Sequence, residues 1–154
     1  MNRIMFMLLS AALITNMAYA QKISANKVPN AVTSAFKVKF PNTKHISWEI
    51  ENVNEYEVSF KLNGEEVSAN FDKTGKWIET ETEIKVSDLP IGVQNTLKKD
   101  FSDFKIEEAS KIESNKDGNN FEAEVKKGLE TYDVLFSTDG KILSKTILKE
   151  EEKD

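Results

Sequence analysis

The chain of 154 residues has no cysteine, one histidine (His45) and one arginine (Arg3). Without cysteine it can form neither a disulfide nor a thiolate metal site, so its stability must come from a packed core. A single imidazole cannot form a multi-histidine metal site. His45 lies in a polar stretch before a predicted strand, which favours a solvated side chain over a catalytic relay. We therefore predict no catalytic residue, no metal site and no cofactor.

Arginine is nearly absent, and acidic residues outnumber basic ones. Arg3 lies in a segment that we expect to be removed, and the remaining residues 21–154 carry 20 lysines against 26 acidic residues, a net charge of −6 (20 − 26). Nucleic-acid and anionic membrane surfaces select basic proteins, and arginine is the preferred residue for phosphate recognition. The composition therefore disfavours both kinds of partner. With 39% hydrophobic and 31% charged residues, the chain is typical of one globular protein.

The first twenty residues have the order of a secretory signal peptide. Arg3 precedes an apolar run of eleven residues at 4–14, and Ala18-Tyr19-Ala20 is a small-x-small cleavage motif. The run is too short for a membrane span, which needs roughly 20 residues. We predict a signal peptide at 1–20, cleavage after Ala20, and a periplasmic or secreted protein without a membrane anchor.

The rest of the chain contains an internal repeat. Val28-Pro29-Asn30-Ala31-Val32 recurs as Leu89-Pro90-Ile91-Gly92-Val93, 61 residues later, and the segment 71–77 recurs at 136–142, 65 residues later. We divide the chain into repeats at 27–84 and 88–148, followed by a charged tail at 149–154.

Each repeat begins with a helical pattern and continues with strand patterns. Val28, Val32, Phe36 and Phe40 lie four apart, as on one stripe of a helix. Downstream, apolar residues alternate with polar ones, and Asn63-Gly64 is a hairpin signal. The pattern predicts an α+β fold of two tandem units, each a helix plus about four antiparallel strands. The helices cover one face of the sheet and leave the other open.

These features resemble the PepSY-like, β-lactamase-inhibitor-like family of secreted proteins from Bacteroidetes. The resemblance lies in Val28-Pro29, Phe40-Pro41, Trp48-Glu49, Asn63-Gly64 and the segment 71–77, and it covers nearly all of the chain after residue 20. It implies tandem helix-plus-four-strand units like those of the β-lactamase inhibitory protein, whose concave sheet holds its target. The family resemblance implies a fold and a location rather than an activity.

The candidate binding residues lie on the predicted open face. Glu79, Glu81 and Glu83 are two apart, so one strand places them on one face, where carboxylates attract cations or raise one another's pKa; such a row is more often a solvated strand face. Trp77 alternates with them and is the predicted aromatic anchor, with Leu135 and Ile142 as lesser apolar contacts; the alternative is that Trp77 packs at the sheet edge. Trp48, in phase with Ile46 and Ile50, is predicted to be core.

One spacing suggests calcium. Glu113, Asn115, Asp117, Gly118 and Glu124 fall at positions 1, 3, 5, 6 and 12 of a calcium-binding loop. The first ligand should be aspartate and helices should flank the loop, whereas strands are predicted here, so a hairpin turn is the better interpretation.

Two functions fit these observations. The first is a monomeric, non-catalytic module that binds an unidentified envelope protein or peptide through the open face, with inhibition of that partner as one form of binding. The second is a sensory or regulatory accessory protein that binds a small cationic or metal ligand through the acidic rows.

Overall fold

The computed structural model describes residues 21–148. The predicted signal peptide at 1–20 and the predicted charged tail at 149–154 lie outside this range. Within 21–148, neither helix has the length and hydropathy needed to cross a bilayer.

Nine strands form one antiparallel sheet in which every strand pairs with its neighbours in the sequence. Helix α1 (Asn30–Lys39) lies between the first two strands in the chain, and α2 (Ile91–Asp100) lies between the fifth and the sixth. The strands are β1 (Gln21–Ile23), β2 (Lys44–Asn52), β3 (Glu55–Leu62), β4 (Glu65–Asp72), β5 (Trp77–Glu83), β6 (Lys105–Ser114), β7 (Gly118–Lys127), β8 (Glu130–Ser137) and β9 (Ile142–Leu148). The predicted α+β class with an antiparallel sheet and two helices is confirmed.

Both helices begin directly after a proline. Pro29 precedes α1 and Pro90 precedes α2, where a missing backbone N–H costs no helical hydrogen bond. Within α1, Val32 and Phe36 are buried, and within α2 the buried residues are Val93 and Leu97. The four-residue apolar spacing therefore gives each helix one stripe that packs on the strands.

Two hydrophobic cores hold the helices to the sheet. In the first, α1 packs on β2, β3 and β4, and Trp48 is only 4% exposed at its centre. In the second, α2 packs on β6, β7 and β8. The first core consists of Val28, Val32, Phe36, Trp48, Val58, Phe60, Val67, Ala69 and Phe71. The second consists of Leu89, Val93, Leu97, Phe101, Ala109, Phe121, Ala123, Val125, Val134 and Phe136.

Bulges change the phase of several strands. The pairing of β2 with β3 shifts between Lys44 and Ser47, and His45 has a positive φ of 54°. Ile46 lies within this shift and is exposed, although Trp48, two residues later, is buried. Simple alternation would have placed both in the core.

A tight backbone contact joins α2 to the turn between β8 and β9. A Cβ atom on Gly92 would overlap the carbonyl of Asp139, and one on Gly140 would overlap Gly92. The Thr96 hydroxyl also donates a hydrogen bond of 2.7 Å to the Gly140 carbonyl. Glycine within a helix costs about 1 kcal/mol relative to alanine, and this contact explains its presence.

We expect Gly92→Ala to lower the free energy of unfolding by about 1–3 kcal/mol, because the new methyl group must push the β8–β9 turn away. Asn95→Ala, at an exposed position of the same helix, is the control and should leave the stability unchanged or slightly raised. Urea unfolding measures both variants. An increase in stability for Gly92→Ala would contradict the contact.

Candidate functional site

One face of the sheet carries a row of acidic side chains. Residues directly opposite each other on paired strands share a face. Glu57 lies opposite Asn70, which lies opposite Glu79, and Ser68 lies opposite Glu81. The pairing continues across β6 to β8 and defines what we call the acidic face. Its carboxylates include Glu49, Glu55, Glu57, Glu66, Glu79, Glu81, Glu83, Glu108, Glu122, Glu124 and Asp133.

The centre of the acidic face is buried. Glu57 is 4% exposed and Glu81 is 2% exposed, and the polar side chains of Ser68, Asn70 and Ser110 are buried with them. The expectation that Glu79, Glu81 and Glu83 form a solvated strand face is therefore wrong for Glu81. Its strand β5 is the middle strand of the nine, so neighbours crowd it from both sides.

Burial changes the acidity of these carboxyl groups. It raises the pKa of Glu57 to about 8, with further increases from the charges of Glu51 and Glu49. It likewise raises the pKa of Glu79 to about 7 and that of Asp133 to about 7, with neighbouring carboxylates adding to each.

The pKa values of Glu81 and Glu122 are raised as well. Burial is the main cause in both. The charge of Glu81 raises the pKa of Glu122 further, whereas the nearby Ser110 hydroxyl partly offsets the rise for Glu81. Near neutral pH the centre of this face therefore holds protons that ordinary carboxylates would have lost.

The Ser68 and Ser110 hydroxyls lie beside the carboxyl groups of Glu57 and Glu81 and partly offset the rise of their pKa values. One buried acceptor on this face, the side-chain oxygen of Asn70, has no hydrogen-bond partner within residues 21–148. Leaving a buried polar group unpaired costs about 1–3 kcal/mol, and more when the group is charged. Such groups are therefore candidates for contact with a ligand.

Ion pairs lie at the margins of the acidic face. Lys61 is 2.6 Å from Glu66 at the end of β3, and Lys22 is 3.9 Å from Glu49 at the first edge of the sheet. These pairs are partly exposed and contribute little to stability. The marginal carboxylates are thus compensated by lysines, in contrast to the buried carboxyl groups at the centre.

The structure does not bring all the predicted binding residues together. Leu135 lies opposite Glu122 on the acidic face, as expected. Trp77 and Ile142, however, lie opposite the core residues Phe71 and Phe136, so their predicted placement on the acidic face is wrong. A register shift before each of these pairs reverses the side to which the residue points.

Trp77 instead covers the side of the first core. It is half-buried there, its indole N–H donates a 2.9 Å hydrogen bond to the Thr80 hydroxyl, and the Lys39 ammonium lies 3.8 Å from the ring centroid. Trp77 therefore packs against the first core from the middle strand of the sheet, and not at a sheet edge or as an exposed binding anchor.

Two other candidate sites offer fewer groups that could bind a metal or a charged ligand. The calcium-like spacing falls on the hairpin between β6 and β7, and within residues 21–148 no three acidic or histidine side chains converge as metal ligands do. An open groove of about 600 Å³ lies between α1 and β2, lined by apolar and neutral side chains such as Ile23, Thr33 and Trp48, with Lys37 as its charged residue. The groove is separate from the acidic face.

Comparisons with known proteins agree with the fold. The sequence model of the family "Putative beta-lactamase-inhibitor-like, PepSY-like" matches residues 15–69 and 55–144. A "putative periplasmic" protein from Bacteroides eggerthii superposes with a TM-score of 0.72 at 22% identity, over 78% of this chain and 88% of its own. A BLIP-like protein from Bacteroides fragilis gives 0.68 at 25% identity, over 82% and 92%. The comparison with curated proteins found no match.

Stability should fall as pH rises through the raised pKa values. Between about pH 4.5, the ordinary value for glutamate, and about pH 8, the value for Glu57, the folded state binds more protons than the unfolded state. The free energy of unfolding must then decrease with pH across this window. We expect a lower melting temperature at pH 9 than at pH 5.5.

The variant Glu81→Gln should raise the free energy of unfolding at pH 9 by about 1–3 kcal/mol, since a neutral amide replaces a buried carboxylate that lies among other carboxylates. Glu65→Gln, at an exposed position, is the control. Melting curves at both pH values measure the effect. A melting temperature that is higher at pH 9 than at pH 5.5 in the unmodified protein would show that these carboxyl groups are not buried as described.

Both tryptophans should matter for folding. Trp48→Ala should cost about 3–5 kcal/mol of unfolding free energy, because it opens a cavity in the first core. Trp77→Ala should cost about 1–2 kcal/mol, because a half-buried ring loses part of its contact. Chemical unfolding of each variant checks this. An unchanged unfolding midpoint for Trp77→Ala would show that the Trp77 side chain is exposed and does not contact the first core.

Proposed function

The chain belongs to the PepSY-like, beta-lactamase-inhibitor-like family, and from this premise we propose that it is a non-catalytic binding module. Its acidic face binds a positively charged segment of a protein or peptide partner, outside the cytoplasm and after removal of residues 1–20. The observation that carries this proposal is the buried row of carboxylates on a sheet face opposite the two helices.

The proposal includes the arrangement of the fold as two tandem repeats with both helices on one face. Ala69 of the first core lies opposite Thr80, and two residues further along β5, Thr82 lies opposite Lys111, which lies opposite Phe121 of the second core. This register supports a single core face under both helices. The acidic face is then the remaining broad surface of the sheet.

The chemistry of the partner follows from the charge of this face. Its carboxylates attract cations, and residues 21–154 carry a net charge of −6 (20 − 26). A partner rich in lysine or arginine would restore the charges that the buried carboxyl groups lose on folding, and it would supply hydrogen-bond donors to them. Leu135 adds an apolar contact among the carboxylates of β7 and β8.

The location and the absence of catalysis rest on separate grounds. The signal-peptide pattern at 1–20 supports export, as do the solved relatives described as periplasmic. The face offers carboxyl groups with raised pKa values, and the strand pairing presents them across several neighbouring strands of a broad sheet. A binding surface uses such groups more directly than a reaction does.

A matched pair of variants tests the proposal. The first neutralises the acidic face by Glu122→Gln, Glu124→Gln and Asp133→Asn. The second removes the same charge elsewhere by the exposed changes Glu65→Gln, Asp88→Asn and Asp100→Asn. Calorimetric titration of residues 21–154 with a lysine-rich peptide and with a glutamate-rich peptide of equal length measures binding at two salt concentrations.

We expect the lysine-rich peptide to bind the unmodified protein and the glutamate-rich peptide not to bind. The face variant should bind the lysine-rich peptide at least about tenfold more weakly, whereas the control should stay within about twofold, since charges beyond a Debye length of about 8 Å are screened. Equal loss of binding in both triple variants would reduce the effect to net charge and overturn the proposal. Saturable binding of a small cation without any peptide binding would favour the sensory alternative instead.

A further inference from the structure

Strand β9 forms one edge of the sheet, and within residues 21–148 no strand pairs with its outer side. It is seven residues long, whereas β1 at the other edge has three. An open edge presents unpaired backbone N–H and C=O groups to other chains, and proteins blunt such edges with charges, prolines or bulges. In β9 these devices are reduced to one charged residue, Lys145, and one register shift near Leu143. The backbone of β9 is therefore available for pairing.

Three apolar side chains of β9 are exposed. Ile142 is 37% exposed, Leu143 is 46% exposed and Ile147 is 52% exposed. None of them belongs to the second hydrophobic core, and Leu143 has no opposite residue on β8. Apolar groups collected on one exposed element are typical of an interaction surface. The edge thus offers apolar contact as well as backbone hydrogen bonds.

The order of residue types in β9 is nearly the same in both directions. In Leu143-Ser144-Lys145-Thr146-Ile147, a hydroxyl residue flanks the lysine on each side and an aliphatic residue follows on each side. If two such strands pair antiparallel about a twofold axis at the lysine, Leu143 lies opposite Ile147 of the second copy, and Ser144 lies opposite Thr146. Pairs of apolar residues and pairs of hydroxyl residues both stabilise neighbouring strands. The strand is thus complementary to itself, as a twofold-symmetric interface requires.

The two kinds of pair also fall on suitable sides of the sheet. Lys145 lies opposite the core residue Val134, and Ile147, two residues later, points to the same side. Thr146 lies opposite Asp133, on the acidic face. The aliphatic pairs therefore form on the side of the core, and the hydroxyl pairs form on the acidic face. Because the twofold axis is perpendicular to the sheet, both acidic faces lie on one side of the joined sheet.

The axis also brings two copies of Lys145 together, and like charges directly opposite each other destabilise a strand pair. The position of the ammonium group reduces this repulsion. It lies 3.8 Å from the ring centroid of Tyr132, and 5.5 and 5.6 Å from those of Phe101 and Phe104. A cation is attracted to the face of an aromatic ring, and these rings lie on the inner side of β9. The charge is therefore held away from the open edge.

We propose that β9 is a dimerisation edge, where a second copy of this chain pairs antiparallel with Lys145 at the twofold axis. The inference goes beyond the proposed function and does not depend on what the acidic face binds. It stands against the sequence-based expectation of a monomer. Two strands of seven residues bury less than the about 800 Å² per partner of a standard interface, so we expect a dissociation constant of roughly 100 µM.

Sedimentation equilibrium of residues 21–154, from about 10 µM to about 1 mM, tests the dimer. We expect the average mass to rise from that of one chain and to level off at that of two. The mass of a single chain at every concentration would overturn the proposal. A mass that rises beyond two chains would indicate open-ended pairing of β9 with another surface, and it would overturn the twofold arrangement.

Charges at the paired positions test the register. Leu143→Lys or Ile147→Glu alone places a charge opposite an aliphatic residue at two symmetry-related positions, and each should weaken dimerisation about tenfold. Leu143→Lys combined with Ile147→Glu places opposite charges across the axis and should restore dimerisation to within about threefold of the unmodified protein. Leu143→Glu combined with Ile147→Glu places like charges opposite each other and should leave single chains.

The control is Val38→Lys combined with Val53→Glu. These residues are 85% and 90% exposed in the first half of the chain, and the pair of changes has the same net charge as the restoring variant. The control should dimerise like the unmodified protein, and thermal melting checks that every variant folds. If the restoring variant dimerises no better than the variant with two glutamates, the proposed register is wrong. If the control loses dimerisation as well, β9 is not the interface.

Discussion

The pairing of β5 with β6 is the constraint on which the rest of the structure depends. It joins Glu79–Glu83 to Ser110–Ser114 by an antiparallel ladder and turns two groups of strands into a single sheet. Because residues on paired strands share a side, this one junction also sets the acidic side chains of β5 in line with those of β7 and β8. It buries Glu81 opposite Ile112, in the middle of the sheet, where water is excluded.

That burial is costly for stability. A buried carboxylate among other carboxylates is worse for folding than an apolar side chain of the same size, and protonation relieves only part of the cost. The two hydrophobic cores that hold the helices to the sheet must compensate, and their aromatic residues supply large buried areas. Phe36, for example, makes edge contacts with Trp48 and Phe60 at centroid distances of 5.4 and 5.1 Å. The apolar side chains that stabilise the fold and the acidic side chains thus lie on opposite sides of the same strands.

The sequence predicts where the helices and strands lie better than it predicts which face of the sheet each strand residue points to. The helices follow from apolar residues spaced by four, and β3, β4, β7 and β8 follow from regular alternation. Strand β6 cannot be recognised from alternation, because its apolar residues Ile106, Ala109 and Ile112 are three apart, and a register shift lies between the first two. Trp77 is assigned to the wrong side because a similar shift precedes it, and such shifts are properties of the pairing partner as much as of the strand.

Alternation also says nothing about depth. It places Glu79, Glu81 and Glu83 on one side, but the burial of Glu81 depends on β5 being fifth among nine strands, which only the assembled sheet reveals. The burial of Ser68 and Asn70 cannot be predicted for the same reason, since serine and asparagine at alternate positions are ordinary in any solvated strand.

The strict sequence order of the sheet bears on how the protein forms. Six of the eight strand pairs are hairpins between consecutive strands, whereas β1–β2 and β5–β6 pair across a helix. Local contacts form faster than those that need long-range closure. The six hairpins can therefore form before the two pairings that span a helix, and the β5–β6 ladder that completes the sheet has to wait for α2.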